Sequence, residues 1–409
     1  MLKAKKALSV NATLLLMALS FGVIAITVDG FTAMLPLVSE EFNLTSAQAG
    51  LYATAFFLTG LVLVLVAGPI VDRIGSRNGL IGALLLVTVF VFLYTIVPSF
   101  TIILGLAIFT GTAFTLVTPS LTKGVVEIVD PSKRAISNGL VQAGAAAGGI
   151  VASFVVPTIG ENFGWRFGVY LGVGLAVLAL LAVIRFYFPS EIGEPKPKST
   201  VKYRENLKQI VRNPLIWIVA SMGIVVGLSI GTITIHYTLF LSRDLAYSAS
   251  AAGFYLALFN AGGVVGNPLF GFINDKYLNS NRRIGLFGIS LSIAALYVFL
   301  ALVVGNGVFG GLLLGIFSFI FGAFAFASVG LLFTAIGDVA GPALMGTGTT
   351  ILLIFSRTTL VIGPAILGQI ADDTGSYQQS WLLSGAIIVI VATLFFLLSS
   401  KYKDQLRRT

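Results

Sequence analysis

Two ionisable residues stand alone in long apolar surroundings: Asp29, and Arg357 within TGTTILLIFSRTTL at 347–360. A charge in hydrocarbon is expensive, and it is retained for a function or a partner. Arginine stays protonated and presents a planar fork of N–H donors that suits carboxylate-like anions. Arg357 is therefore a candidate substrate-binding residue for an anion, or one half of a structural ion pair with Asp29. Asp29 is a candidate proton carrier, with Pro36 two turns further along the same helix face. The single histidine, His236, sits beside Tyr237 in GTITIHYTLF at 231–240, where it could bind substrate, titrate or simply pack. Asn138, Gln142, Ala145 and Gly149 share one helix face, as do Thr115, Thr118 and Thr122, and as do Asn260 and Asn267. Such faces line a polar cavity or serve as small-residue and Thr packing between helices. Lys123 and Glu127 are spaced to pair with each other. With no Cys and one His, neither a thiolate site nor a multi-His metal centre is expected. No Gly-Lys dipeptide exists to form a phosphate-binding loop. The expectation is a protein with no cofactor and no enzymatic reaction.

The elements that hold these residues follow from composition. Of 409 residues, 57% are hydrophobic and 10% charged, and mean hydropathy is +0.99. Soluble domains carry roughly 25% charge, so a soluble enzyme, a nucleic-acid binder and a disordered scaffold are excluded. Apolar runs long enough to span a bilayer lie at about 9–37, 47–70, 79–97, 100–127, 135–158, 167–188, 214–240, 249–270, 284–304, 308–335, 344–370 and 380–400. They are apolar all round and lack the alternation of a barrel strand, so they read as helices. The fold class expected is an all-α membrane protein with twelve transmembrane helices. All but Arg166, Arg243 and Arg357 of the 25 basic residues fall in alternate loops or the two tails. That asymmetry predicts both termini in the cytoplasm, in the inner or plasma membrane of a prokaryote. The +9 net charge then faces anionic headgroups of the lipid bilayer and implies no nucleic acid. The lysine-rich start is read as the approach to the first helix, its apolar run being too long for a signal peptide.

The one long polar stretch, 189–213, divides the chain into a six-helix bundle at 1–188 and another at 214–409. It reads as a cytoplasmic linker whose Tyr203–Val211 run could lie along the membrane surface. The halves echo each other. GPIVDRIGSRN at 68–78 answers to GFINDKYLNSNRR at 271–283, with Gly68 and Gly271, and Asp72 and Asp275, each 203 residues apart. Internal repeats of this size build many transporters, with the site near the midplane between halves.

The 68–78 segment resembles the Gly-x-x-x-Asp-Arg-x-Gly-x-Arg signature between helices 2 and 3 of the major facilitator superfamily, through Gly68, Asp72, Arg73, Gly75 and Arg77. The second copy keeps Gly271, Asp275 and Lys276 and then degenerates. The resemblance implies two pseudo-symmetric six-helix bundles, rocker-switch alternating access and a cavity lined mainly by helices 1, 4, 7 and 10. It also implies that the signature is a conformational latch, in which Gly68 allows close helix approach and Asp72 meets a helix N-terminus or a base. Two departures stand out. Ala107 occupies the place where many proton-coupled members carry Arg, four residues before Gly111. The fifth run, GLVQAGAAAGGIVASFVVP at 139–157, lacks the Gly-Pro pair frequent in drug–proton antiporters. The function expected is a secondary transporter, working as a monomer, that moves a small organic or inorganic anion with protons. An exporter of hydrophobic or cationic compounds, with Asp29 as cation partner, is the alternative, and a membrane receptor or scaffold is a third.

Overall fold

In lipid every backbone N–H and C=O must find a partner inside its own segment, which makes these apolar runs helical. The computed structural model describes residues 9–63, 66–188, 212–307, 310–402 and 405–406. Among them are twelve spanning helices: α1 Val10–Ala33, α2 Ser46–Leu63, α3 Ser76–Leu93, α4 Phe100–Ile128, α5 Ile136–Phe163, α6 Trp165–Phe186, α7 Pro214–Arg243, α8 Ala249–Tyr277, α9 Arg282–Val304, α10 Gly311–Gly341, α11 Thr347–Thr374 and α12 Gln378–Tyr402. No strand element occurs among the described residues. Local signals set the starts. The Ser248 hydroxyl accepts from the Ala251 N–H at 3.3 Å to cap α8, and the Asn213 side chain caps α7, where Pro214 takes the first helical position. Helical hydrogen bonding continues from α10 towards α11 through a turn at Gly341, whose φ of 71° suits glycine. The linker run Tyr203–Val211 lies outside the described residues.

Within the first six helices α1 packs on α5 and α6, α3 on α4 and α6, and α2 on α4. Within the last six α8 packs on α10 and α9 on α12. The α1–α5 contact needs small residues. A Cβ on Gly144 would stand 2.0 Å from the Ala18 carbonyl oxygen, and one on Gly148 2.2 Å from that of Gly22. This explains part of the glycine and alanine content of α5 as helix packing. The two bundles meet along two seams, α2 against α11 and α5 against α8.

The two seams are tight over different lengths. Gly50 abuts Pro364, Gly368 abuts Ser46, and the Thr54 hydroxyl donates to the Val361 carbonyl at 2.5 Å. On the other side Gly253 abuts Ser153 and Pro157, and Asn260 Nδ2 donates to Ser153 Oγ at 3.0 Å. These contacts lie towards the face that carries the α1–α2, α7–α8 and α11–α12 connections, the far face. Towards the opposite, basic face the α5 residues Gly139–Ala147 and the α8 residues Gly263–Pro268 instead flank a cavity. Along α5 and α8 the bundles are thus joined at the far face and parted at the basic one.

Candidate functional site

The parted region encloses a cavity of about 550 Å³. Asp29 of α1, Ala143, Ala146, Gly149 and Ile150 of α5, Asn260, Gly263 and Asn267 of α8, and Phe326 of α10 contribute to its walls. This differs from the expected lining by α1, α4, α7 and α10, because small side chains on α5 and α8 leave the space there. Asp29 neither accepts a hydrogen bond nor pairs with a base among the described residues, and its Oδ2 lies 3.6 Å from the Cβ position of Gly149. Asn260 reaches the cavity while donating across the seam to Ser153. Ala145 and Gly149 line the cavity as the face pattern on α5 requires, but Asn138 is half-buried, Gln142 is exposed, and neither is among the lining residues.

Arg357 reaches from α11 across the α2/α11 seam towards the first bundle. Its guanidinium lies over the Phe57 ring, 5.5 Å from the centroid. Nη1 stands 2.6 Å from where a Gly60 Cβ would be, and Thr115 Oγ1 adjoins the same point. Glycine at position 60 is therefore what admits the guanidinium. No hydrogen bond or ion pair to Arg357 forms among the described residues, so the pairing of Arg357 with Asp29 is absent in this conformation. Nearby, α7 widens to i→i+5 hydrogen bonding over Gly227–Thr232, where Gly227 and Gly231 press against Thr359 and Leu360. Such local widening recurs at functional sites.

His236 and Tyr237 are fully buried and lie away from this cavity. His236 Nε2 lies 2.7 Å from the Pro364 carbonyl, which can only accept, so Nε2 carries the proton and Nδ1 accepts from the Tyr377 hydroxyl at 3.1 Å. Tyr237 meets Ser318 of α10 at 2.7 Å. Both residues brace helices within the second bundle, and neither lines the cavity in this conformation. Thr118 and Thr122 are exposed, while the Thr115 hydroxyl donates to the Gly111 carbonyl.

The signature segments lie at the basic face. A Cβ on Gly68 or on Gly271 would meet nothing within 4 Å, so neither glycine serves a close helix approach here. Asp72 faces Lys123 at 3.7 Å rather than a helix N-terminus. Lys123 donates to the Val71 and Asp72 carbonyls at 3.1 and 2.9 Å and stands 4.0 Å from Glu127, so the expected i,i+4 pair is its weaker contact. Glu127 instead accepts from Ser76, which also meets the Tyr187 hydroxyl. Arg73 is exposed, Gly75 turns the chain into α3 with a φ of 86°, and Arg77 donates to the Tyr187 and Ile184 carbonyls at the end of α6.

The second copy is more complete than its sequence suggests. Asp275 pairs with Arg282 at 2.6 Å, and Arg282 also reaches Asn274 and Asp338. Arg283 binds the Phe396 carbonyl at the end of α12, as Arg77 binds the end of α6. Lys276, the residue that spacing had matched to Arg73, lies over the Phe272 and Tyr277 rings. Arg282 and Arg283 read only as basic loop residues because the turn at 278–281 shifts them out of register with the first copy, and Asp338 was not singled out. The regular 211-residue offset between Glu127 and Asp338 was the available signal.

Twelve spanning helices in two related bundles around an interior cavity define a polytopic membrane transporter. A sequence profile of the Major Facilitator Superfamily matches residues 17–358, and the chain belongs to that family. It is 22% identical to the hexuronate transporter of Bacillus subtilis, over 87% of each chain. It is 24% identical to the "Probable sulfoacetate transporter SauU" of Cupriavidus necator, over 88% of this chain and 87% of that one. Identity is also 24% to the fosmidomycin resistance protein of Escherichia coli, over 91% and 89%. Among solved structures, a bacterial homolog to the human lysosomal transporter Spinster, inward-facing and unoccupied, superposes with a TM-score of 0.81 at 20% identity, covering 98% of both chains. That identity speaks for the fold alone.

Proposed function

We propose that the chain is a secondary transporter that works by alternating access and moves a small organic or inorganic anion together with protons. The observation that carries the proposal is Arg357: a cation in the bundle interior, beside the Phe57 ring and near the Thr115 hydroxyl, that makes no ion pair or hydrogen bond among the described residues. Its donors are free for a ligand, and a carboxylate, sulfonate or phosphate would take them as charge-assisted bonds. The names of the hexuronate and sulfoacetate relatives are those of anions, which favours the same class. Asp29, which contributes to the cavity wall, is the proton carrier in this reading. The distribution of basic residues favours termini and linker in the cytoplasm of an inner or plasma membrane, and hence a basic-face opening towards the cytoplasm. The domain division is at 189–213, with a monomer as the working unit.

Uptake of labelled hexuronate or sulfoacetate by proteoliposomes should depend on an imposed pH gradient and be lost in Arg357→Ala. Asp29→Asn should keep anion exchange but lose the response to the gradient. Undiminished anion uptake by Arg357→Ala would remove the arginine from the site. A second reading, export of hydrophobic or cationic compounds, is favoured by the apolar cavity wall around Asp29 and by the resistance function in the name of one relative. In that case Asp29→Asn abolishes resistance in cells and Arg357→Lys leaves it intact.

A further inference from the structure

Arg166 and Arg243 are the two loop-end arginines that break the basic-loop pattern. Arg166 is spoken for within its own bundle by Glu41, at 2.7 Å. Arg243 is not. From the end of α7 it crosses to the first bundle, donating to Ser46 Oγ at 2.8 Å and to the Leu44 carbonyl at 2.7 Å. Beside it Asp372, near the end of α11, accepts from the Ser46 N–H at 2.7 Å and the Ala47 N–H at 2.8 Å. These are the first N–H groups of α2, which have no partner inside their own helix. Across the other seam Glu161, near the end of α5, accepts from the Ser250 N–H at 2.8 Å in the first turn of α8.

Glu161 and Asp372 are equivalent residues, 211 apart, and the helices they cap are equivalent too. Each carboxylate meets the positive end of a helix that belongs to the other bundle. The geometry is specific to these positions. Asp373, the next residue, bonds only Gln369 on its own helix. From Asp372 the α2/α11 seam continues inward through Gly368, Pro364 and Val361 to Arg357. Any opening of the far face must break the carboxylate and arginine contacts first.

We infer that Asp372, Arg243 and Glu161 form the far-face gate: reciprocal caps through which each bundle closes the first turn of a helix in the other. The inference rests on the alternating-access reading but not on the substrate class. The two seams differ in strength. Two charge-assisted bonds to the half-buried Asp372 join α11 to α2 and two more from Arg243 join α7 to the start of α2, whereas on the other side a single charge-assisted bond, to an exposed Glu161, joins α5 to α8. Asp372 therefore dominates.

The chain has no cysteine, so introduced pairs can be spin-labelled without background. Gln48→Cys with Gln369→Cys reports the far face, where both residues wall one depression. Ile74→Cys with Tyr277→Cys reports the basic face, where both are exposed. Asp372→Asn should raise the ratio of far-face-open to far-face-closed molecules about tenfold, Arg243→Gln by roughly half as much, and Glu161→Gln about twofold. Basic-face distances should shorten in step. Ser46→Pro removes an N–H from the other partner at a helix position that tolerates proline. Because it also removes the hydroxyl that Arg243 donates to, it should produce at least the Asp372→Asn shift and add to Asp372→Asn no more than Arg243→Gln does, and Asp373→Asn should shift nothing. If Asp372→Asn does not fold, Ser46→Pro and Arg243→Gln carry the test. Unchanged distances in these variants, in a parent chain that populates both states, would overturn the gate. A parent chain with one fixed far-face distance under all conditions would overturn alternating access itself.

Discussion

Glu41 and Asp244 occupy equivalent ends of the two bundles, 203 residues apart, and both tie the end of one helix to the start of another. Glu41 binds Arg166 through both oxygens and also accepts from the Trp165 indole at 2.6 Å. Asp244 accepts from the Tyr377 N–H at 2.8 Å and from Ser376. The hydrogen bonds from Arg166 hold the Glu41 carboxyl below its usual range. Burial pushes Asp244 up, against the opposing pull of the Tyr377 N–H and the Ser376 hydroxyl. The same fold position is thus filled once by an ion pair and once by a carboxylate bound to neutral donors. The repeat conserves which helices are joined, and leaves the chemistry of the joint free. The same contrast runs through the basic face, where Lys123 is moderately exposed and Arg282 is buried, and into the interior, where the first bundle offers Asp29 and the second Arg357.

The interior contrast is the one with the largest expected effect. Losing a charge-assisted pair worth about 2 kcal/mol lowers transport at least roughly tenfold. Arg357→Ala should therefore lose anion uptake, while Arg357→Lys, which keeps the charge but not the fork, should recover part of it. Equal loss in both variants, with unchanged thermal stability, would mean that planar recognition is what matters. Full activity in Arg357→Ala would make the two bundles equivalent at their inner ends.

Next comes the basic face. Removing one partner of a buried pair strands the other charges. Arg282→Ala leaves Asp275 and Asp338, but these are 56% and 26% exposed and can hydrate, so the expected destabilisation is about 2 kcal/mol rather than the larger values of fully buried pairs. Lys123→Ala should cost under about 1 kcal/mol, since its best contacts are to carbonyls at a partly open site. Unfolding in detergent would rank the two, and a larger effect of Lys123→Ala would reverse the comparison.

The joints at Glu41 and Asp244 should respond to pH with opposite sign. Glu41 titrates in the folded chain below its unfolded value, so its contribution is present above about pH 4.5 and is lost as pH falls through the folded value. Both partners are more than a third exposed, which limits the effect to within about 1 kcal/mol. Asp244 titrates above its unfolded value, so stability is greatest at low pH and declines as pH rises through the folded value. Glu41→Gln should lower the neutral-pH melting temperature slightly. Asp244→Asn should leave it unchanged or raise it, because the amide oxygen still accepts from Tyr377. A fall in both variants would show that burial is not what governs Asp244.

Hydropathy is a local property, so the twelve spans, the six-plus-six layout and the family signature were all legible in the sequence. The segment Leu80–Val97 is apolar whatever it touches. What a given charge meets across an interface is not local. Glu161 and Asp372 read as ordinary helix-end acids, and only the approach of α5 to α8 and of α2 to α11 turns them into caps. His236 read as a candidate ligand because a lone histidine in an apolar run is conspicuous. Its two partners, Pro364 and Tyr377, lie more than a hundred residues away and could not be foreseen. Arg357 and Asp29 were legible as exceptional, though whether they paired with each other was not.

Gly68 gives the smallest effect and the sharpest separation of stability from transport. In the conformation described, a methyl group at Gly68 or Gly271 meets open space, and alanine is the better helix former. Gly68→Ala and Gly271→Ala should therefore leave thermal stability unchanged or raise it by up to about 0.5 kcal/mol. The signature glycines then earn their place only in a state where the basic face closes. In that state the added methyl groups would stand between the bundles, and the transport rate should fall although the melting temperature does not. A transport rate that is also unchanged would show that the glycines do not meet the other bundle in either state, and would confine the latch to Asp72, Lys123 and their counterparts around Arg282.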